Sequence, residues 1–164
     1  MEGNEKKIQK ILNKLIAEEM VACEFYVGCV IATKHDVSKQ YSKLFLEIAK
    51  DERDDHAKHL IEWARENDFK VPFRFKDYEK HADERAVKLL NALKEDEKAK
   101  YYVEKAIESE KLAVESYMQI AQDPDLPYEF TSICWQIYYD EVEHLSKLAI
   151  LNDALAAGAE LKGF

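Results

Sequence analysis

Four long stretches of this chain repeat apolar residues at helical spacing and are almost free of residues that break a helix. The 164 residues include only four glycines and three prolines. The periodic stretches cover about residues 5–31, 38–66, 95–122 and 128–156. A few polar residues join the first two stretches, and the sequence DPDLP at residues 123–127 separates the last two. Because such short connections place consecutive helices side by side and antiparallel, the sequence predicts an all-α four-helix bundle.

The connection between the second and third long helices is much longer, at about thirty residues. Val71, Pro72 and Phe73 end the second helix and favour an extended backbone. A weaker amphipathic pattern over residues 77–93 predicts an extra short helix within this crossover. A crossover of this length allows the second and third long helices to lie parallel. From its length, the chain is expected to form a single domain over residues 1–164.

The composition excludes several classes of function. A net charge of −9 and an isoelectric point near 5.1 argue against nucleic acid as a partner, since phosphate binding needs a basic face. No apolar run approaches the roughly 20 residues of a membrane span, and the first residues lack the apolar core of a signal peptide, so a cytoplasmic location is expected. Cys23, Cys29 and Cys134 are odd in number and lack CxxC spacing. They are expected to be buried free thiols rather than disulfides or a rubredoxin-type iron site.

A glutamate interrupts each apolar stripe of the bundle. In the first and third helices the glutamate is followed by alanine three residues later and by tyrosine seven residues later, all on one stripe. An unpaired buried carboxylate costs several kcal/mol or becomes protonated, so each of these glutamates needs a partner. The repeated residues are Glu19, Ala22 and Tyr26 in the first helix, and Glu110, Ala113 and Tyr117 in the third.

The second and fourth helices each carry a glutamate followed by a histidine. Glu141 and His144 are three residues apart, which places both side chains on one face of a helix. Glu52 and His56 form the corresponding pair in the second helix. The chain therefore contains a glutamate helix followed by a glutamate–histidine helix twice. Two such hairpins packed face to face would bring four carboxylates and two imidazoles to one point.

Four carboxylates carry four negative charges, which two divalent cations neutralise. A glutamate from each of two helices plus a Glu-x-x-His pair from each of the other two is a known way to build a dinuclear site inside a bundle. Oxygen ligands with one imidazole per metal suit Fe(II) or Mn(II), and the lack of a thiolate set argues against structural zinc. We expect Glu52 and Glu141 to bridge the two ions. The predicted metal ligands are Glu19, Glu52, His56, Glu110, Glu141 and His144.

These residues resemble the ferritin-like superfamily over about residues 5–155, most closely bacterioferritin, Dps-like ferritins and the diiron domain of rubrerythrin. The resemblance implies a ferritin-like fold and a ferroxidase-type diiron oxidoreductase. O2 or H2O2 would oxidise two Fe(II) ions while Tyr26 and Tyr117 hydrogen-bond near the carboxylates. It also implies iron storage in a homo-oligomeric shell of about 12 or 24 subunits.

The second helix departs from the family pattern. Aligned on His56, the glutamate position holds Arg53, and aligned on Glu52, the histidine position holds Asp55. A one-residue insertion absorbed as a π-bulge would bring both Glu52 and His56 inward, and π-bulges are frequent at functional sites. In the alternative, Asp55 is the ligand and His56 is turned away from the site. If neither residue reaches the site, it holds one metal ion or none. Because Arg53 stands where bacterioferritin has its haem-binding methionine, no haem is expected.

Two other functions fit the same pattern. One is a rubrerythrin-like peroxide reductase acting as a dimer, although this chain lacks the CxxC module that usually supplies electrons to that family. The other is a helical scaffold whose carboxylates bind no metal. For the remaining candidates, His59 is expected to be a rim or core histidine, and His35 and His81 are expected to be ordinary surface residues. If Cys23 has a function beyond packing, it is expected to be that of a redox residue beside the metals.

Overall fold

The computed structural model describes residues 2–33, 39–71 and 98–157, and all regular secondary structure in these ranges is helical. The predicted all-α class is therefore confirmed, and the short helix predicted over residues 77–93 lies outside the described residues. None of the described helices is both long and apolar enough to cross a membrane. The helical segments are α1 (Glu2–Thr33), α2 (Lys39–Lys50), a π-helical segment (Asp51–Ala57), α3 (Lys58–Glu66), α4 (Lys98–Ala121) and α5 (Tyr128–Ala156).

Segments α2, the π-helical segment and α3 follow one another without a break and form one long rod, so the described residues form four rods. The most extensive contacts are between α4 and α5 and between α1 and α2. The rod ends where Asn67 takes a non-helical conformation and Asp68 adopts a positive φ of 60°. The backbone N–H of Phe69 donates to the carbonyl of Ala64 at 2.8 Å, which satisfies a carbonyl that the helix end leaves free.

Two apolar clusters form the core of the described bundle. The first combines the beginning of α1, α3, the end of α4 and the beginning of α5. The second combines the end of α1, α2, the beginning of α4 and the end of α5. It follows that α1 and α5 run in one direction while the α2–α3 rod and α4 run in the other. The α2–α3 rod and α4 are thus parallel, the arrangement that a long crossover permits.

Large side chains in both clusters are excluded from solvent, and burial of each contributes roughly 1.5–3 kcal/mol relative to exposure. This apolar packing on either side stabilises the bundle around a polar layer at its middle. Fully buried members of the first cluster include Leu12, Leu15, Ile16, Leu60 and Phe130, and those of the second include Tyr26, Phe45, Ile48, Tyr102 and Leu148.

The π-helical segment explains the irregular spacing of the second rod. Buried residues of this rod recur at steps of four, from Ile48 through Glu52 and His56 to Leu60. In a regular α-helix of 3.6 residues per turn, this spacing would rotate successive side chains away from the core. The wider turn of the π-helix absorbs one residue and keeps all four on the inner side. The predicted π-bulge is confirmed.

This explanation predicts that one residue of the segment is dispensable for the fold. Deleting the exposed Asp54 restores a three-residue spacing between Glu52 and His56. The rod should then become a regular helix in which the buried residues before and after the deletion lie on the same face. We expect the melting temperature of the metal-free protein to stay the same or rise. Circular dichroism during thermal unfolding measures it.

The matched control is deletion of the exposed Glu143 in α5, which has no π-helical turn to remove. That deletion rotates the following stripe by about 100° and displaces the buried Leu148 and Leu151. We expect it to lower the free energy of unfolding by at least about 3 kcal/mol. Equal destabilisation by the two deletions would contradict the role given to the π-helical segment.

Candidate metal centre

A polar layer lies between the two apolar clusters and contains all six residues predicted from the sequence. Their side chains come from α1, the π-helical segment, α4 and α5, and at most 3% of each residue's surface is exposed. Such burial of four carboxylates and two imidazoles requires that they share charge or protons with one another. The residues are Glu19, Glu52, His56, Glu110, Glu141 and His144.

The six residues form two groups whose potential ligand atoms lie within 4.8 Å of one another. Glu52 and Glu141 belong to both groups, which is the position that a bridging carboxylate requires. Glu19 and Glu110 belong to one group each, as terminal ligands would. Each group also contains one histidine. The first group is Glu19, Glu52, His56 and Glu141, and the second is Glu52, Glu110, Glu141 and His144.

Both imidazoles direct Nδ1 toward the carboxylates. Nδ1 of His56 lies 3.3 Å from Oε2 of Glu19 and 3.5 Å from Oε1 of Glu141. Nδ1 of His144 lies 3.3 Å from Oε2 of Glu141 and 3.5 Å from Oε1 of Glu52. The two rings are stacked with centroids 5.7 Å apart. Each histidine can therefore serve one of two adjacent cation positions through the same ring nitrogen.

Asp55, the alternative ligand of the second rod, belongs to neither of these buried groups. It lies instead in a third, partly exposed group with His56 and Asp140. Its Oδ1 lies 3.0 Å from Nδ1 of His59, and both side chains are about half exposed at the rim of the bundle. The geometry therefore favours the pair Glu52 and His56 over Asp55. His59 occupies the rim position expected for it, and His35 and His81 lie outside the described residues.

Tyr26 and Tyr117 bind the terminal glutamates reciprocally. The hydroxyl of Tyr26, on α1, donates to Glu110 on α4, and the hydroxyl of Tyr117, on α4, donates to Glu19 on α1. Both tyrosines are buried, and burial is the main cause that raises the pKa of each phenol. They remain neutral donors that hold one oxygen of each terminal carboxylate, and a part for them in catalysis stays a prediction.

Sequence reasoning missed two further residues, Asp51 and Asp140. Oδ2 of Asp51 lies 3.0 Å from Nε2 of His144, and Oδ2 of Asp140 lies 3.3 Å from Nε2 of His56. Each aspartate holds the outer nitrogen of the histidine that belongs to the opposite hairpin, which orients Nδ1 toward the carboxylates. The sequence does contain a signal, because each aspartate directly precedes a predicted bridging glutamate.

Replacement of Asp140 by alanine should weaken metal binding without removing a ligand. Loss of an outer partner of a ligating histidine typically lowers metal affinity about 10- to 100-fold, and we expect a change of that size. Titration of the metal-free protein with Mn(II), followed by calorimetry, measures it. Asp153→Ala, an exposed aspartate on the same helix, is the matched control and should bind as the wild type does. Equal affinities for Asp140→Ala and the control would remove Asp140 from this role.

Burial and mutual repulsion divide the four carboxyl groups into two kinds. Burial, together with the neighbouring carboxylates Glu141 and Glu52, raises the pKa of Glu110 to about 11. Burial also raises the pKa of Glu19, with a further contribution from Glu52. Glu110 therefore carries a proton at neutral pH when no metal is bound, and the same causes favour the protonated form of Glu19.

Glu52 and Glu141, the two glutamates shared by both groups, have lowered rather than raised pKa values. Burial and the charge of Glu141 oppose ionisation of Glu52, but hydrogen bonds from Glu19 and the two histidines outweigh them and lower its pKa. Burial likewise opposes ionisation of Glu141, and hydrogen bonds from Glu110 and both histidines lower its pKa. These two carboxylates are the anions of the metal-free site.

The histidines carry the compensating positive charge. Burial opposes protonation of His144, but hydrogen bonds to Asp51, Glu141 and Glu52 raise its pKa to about 12. The pKa of His56 is raised by the same kind of contacts, beginning with Asp140, against the effect of burial. The raised pKa values of Glu19, Glu110, His56 and His144 all favour the protonated forms of these side chains. Four protons on these groups would balance the same charge that two divalent cations balance.

Two oxygens of the centre, Oε1 of Glu52 and Oε2 of Glu110, make no hydrogen bond of good geometry among the described residues. Nδ1 of His144 lies 3.5 Å from the first and 3.9 Å from the second. Buried polar atoms are rarely left in this way unless a water or an ion completes the site. Together with the six-ligand geometry, these two atoms fit the requirements of a dinuclear carboxylate centre. Oxygen and imidazole donors suit Fe(II) or Mn(II).

The cysteines do not contribute to the centre. Cys23, Cys29 and Cys134 are buried free thiols, as predicted, and none belongs to either ligand group. Burial raises the pKa of Cys23 to about 11, so it remains a protonated thiol at neutral pH. A thiolate ligand and a thiolate nucleophile are both disfavoured at this position.

No protein-family model matches the sequence, and a search of curated proteins found no match. The assignment of the site therefore depends on its geometry and on the chemistry of its side chains.

Proposed function

We propose that this chain is a ferritin-like ferroxidase that oxidises two Fe(II) ions with O2 or H2O2 at the dinuclear carboxylate centre. The observation that carries the proposal is the pair of four-residue groups sharing Glu52 and Glu141. Two Fe(II) ions are the substrate, and the shared carboxylates hold them next to each other. One oxidant molecule can then take electrons from both ions, which avoids release of one-electron products.

The side chains around the two ions have distinct tasks in this proposal. Glu52 and Glu141 neutralise charge between the ions, and Glu19 and Glu110 bind one ion each. Tyr26 and Tyr117 restrain the terminal carboxylates through their hydroxyl groups. Oxidation adds one positive charge to each ion, so the centre changes from neutral to positively charged, and this change favours release of Fe(III) or uptake of hydroxide.

Iron storage and detoxification would follow if the released Fe(III) were collected inside an oligomeric shell. The proposed shell contains about 12 or 24 copies, whereas a rubrerythrin-like enzyme would be about a dimer. Light scattering of the purified protein distinguishes these assemblies. The proposed ferroxidase chemistry needs only the intra-bundle centre and holds for either assembly.

The stoichiometry of iron binding tests the proposal directly. Anaerobic titration of the metal-free protein with Fe(II) should reach saturation at about two ions per chain, because each ligand group holds one ion. Addition of O2 or H2O2 should then oxidise the bound iron much faster than it oxidises iron in buffer. Saturation below one ion per chain in a folded protein would favour the scaffold function and contradict the proposal.

A further inference from the structure

A long groove between α1 and α4 leads from the surface to the polar layer. Its volume is about 750 Å³, and Glu52 and Glu141, which come from the other two rods, form its inner end. We call it the α1–α4 groove. The terminal glutamates Glu19 and Glu110 and the ring of Tyr117 also line it. Most of the remaining wall surface is apolar, and its apolar residues are Ala17, Val21, Ala22, Phe25, Leu112 and Ala113. The polar residues Lys14, Glu18, Lys105, Ser109, Glu115, Ser116 and Gln119 also line the groove.

The groove opens on one side of the centre only. His56 and His144 do not line it, and their outer nitrogens face Asp140 and Asp51 instead. A molecule that enters the groove therefore meets the carboxylate side of the centre. That side includes Glu52 and Glu110, the two glutamates with an oxygen that makes no hydrogen bond of good geometry among the described residues.

The groove is larger and more apolar than O2 or H2O2 requires. Its volume falls in the range of about 300–1,000 Å³ typical of sites for organic ligands, whose surface is also mostly apolar. Small side chains at Ala17, Ala22 and Ala113 leave the space between the two helices free. An organic molecule with an apolar body and a reactive polar end matches this distribution.

We propose that the α1–α4 groove admits organic hydroperoxides as oxidants, with the apolar group against the groove wall and the –OOH group at the dinuclear centre. This inference rests on the proposed ferroxidase function, because the two Fe(II) ions supply the electrons. The O–O bond breaks and takes up two electrons, one from each Fe(II). Two protons from solvent complete the products, so ROOH, two Fe(II) and two protons give ROH, water and two Fe(III).

A hydroperoxide suits this centre better than an unactivated hydrocarbon does. Its O–O bond accepts the two electrons that the pair of ions can give, and no further reductant is needed. It is also neutral, so it can approach a centre lined by four glutamates without charge repulsion. Burial of its apolar group against Val21, Phe25 and Leu112 would provide the binding energy that H2O2 lacks.

Filling the groove tests the proposal. Ala113→Phe introduces a ring into the groove, and Ala149→Phe, at an exposed position of α5 outside the groove, is the matched control. The first readout needs no metal: calorimetry of the metal-free protein with 2-phenyl-2-propanol, the alcohol that cumene hydroperoxide yields. We expect one alcohol molecule per chain in the wild type and in the control, and binding at least about 10-fold weaker in Ala113→Phe.

The second readout compares oxidants. We expect the rate of Fe(II) oxidation by cumene hydroperoxide, divided by the rate with H2O2, to fall at least about 10-fold in Ala113→Phe and to stay at the wild-type value in the control. If Ala113→Phe does not fold, Ala22→Phe on the opposite wall makes the same test. An unchanged ratio, or wild-type protein that does not bind the alcohol, overturns the inference.

Two further outcomes are distinguishable. Wild-type protein that binds the alcohol but oxidises no Fe(II) with O2, H2O2 or cumene hydroperoxide would refute the ferroxidase function and, with it, the proposed reaction. A wild-type dimer that becomes monomeric in Leu112→Glu would show that a second copy of the chain covers the groove, and the inference would be wrong. Leu112 is 69% exposed, so this substitution does not disturb the core.

Discussion

Replacing Glu141 with alanine should reduce the rate of Fe(II) oxidation by at least about 100-fold. Loss of a residue that only hydrogen-bonds a metal ligand lowers affinity or activity by up to about 100-fold, and loss of a ligand itself should cost at least as much. Glu141 belongs to both ligand groups, so its loss removes a donor from each cation position at once. It also leaves Glu52 as the only shared carboxylate. Stopped-flow absorbance of Fe(III) formation after anaerobic loading measures the rate.

Two control variants separate this effect from loss of the fold. Glu143→Ala removes an exposed glutamate two residues away on the same helix and should oxidise iron at the wild-type rate. Glu110→Ala removes a terminal carboxylate and leaves the first group, with Glu19 and His56, complete. We therefore expect it to bind about one ion per chain, whereas Glu141→Ala should bind both ions weakly. A wild-type oxidation rate in Glu141→Ala would exclude this residue from the centre.

Metal binding at pH 7 should release about four protons for every two divalent ions, because ligands must lose their protons to coordinate. The groups that would hold these protons are Glu19, Glu110, His56 and His144, whose pKa values are all raised above their ordinary values of 4.5 for glutamate and 6.5 for histidine. Titration with Mn(II) in weakly buffered solution containing a pH indicator counts the protons.

The count should change by one in a variant that cannot carry one of the protons. Unlike Glu110→Ala, Glu110→Gln keeps the shape of the side chain and an oxygen that can bind the second ion. It removes an ionisable group, so about three protons should be released per pair of ions. Asp153→Asn, on the surface of α5, should leave the count at about four. Release of fewer than two protons by the wild type would contradict the protonation state inferred for the metal-free centre.

The folded, metal-free protein binds these protons more tightly than the unfolded chain does, so its stability should decrease as the pH rises. The pKa of His144 is raised from 6.5 to about 12, so the stability it contributes is complete below about pH 6.5 and is lost as the pH rises toward 12. Between its ordinary pKa of 4.5 and about 11, Glu110 binds a proton in the folded state that the unfolded chain has lost, which acts in the same direction.

The depressed pKa values of Glu52 and Glu141 act only in acid. Their contribution is present above about pH 4.5 and is lost as the pH falls through their folded values. The metal-free protein should therefore melt at a higher temperature at pH 6 than at pH 9. Addition of Mn(II) should reverse this order, since metal binding becomes tighter as the ligands lose protons. A metal-free melting temperature that rises from pH 6 to pH 9 would contradict the inferred protonation.

The candidate ligands could be predicted from the sequence because the residues of each motif lie on the same helix. A spacing of three or seven residues along one helix fixes which side chains share a face, and this is why Glu141 and His144, or Glu19 and Tyr26, could be paired in advance. The π-helical segment was predictable for the same reason, since the four-residue step from Glu52 to His56 conflicts with the period of an α-helix.

The long helices, their approximate ends and the six candidate ligands follow from the sequence alone, since helical periodicity and short connections are local properties of a chain. The fourth helix runs from Tyr128 to Ala156, as predicted, and α1 extends slightly beyond its predicted ends at both sides. Only the tertiary structure decided which histidine meets which aspartate, which tyrosine meets which glutamate, and that a groove opens between α1 and α4. The residues in these histidine–aspartate and tyrosine–glutamate pairs are 84 to 98 positions apart. Their contacts depend on the rotation and separation of whole helices, which no spacing within one helix specifies.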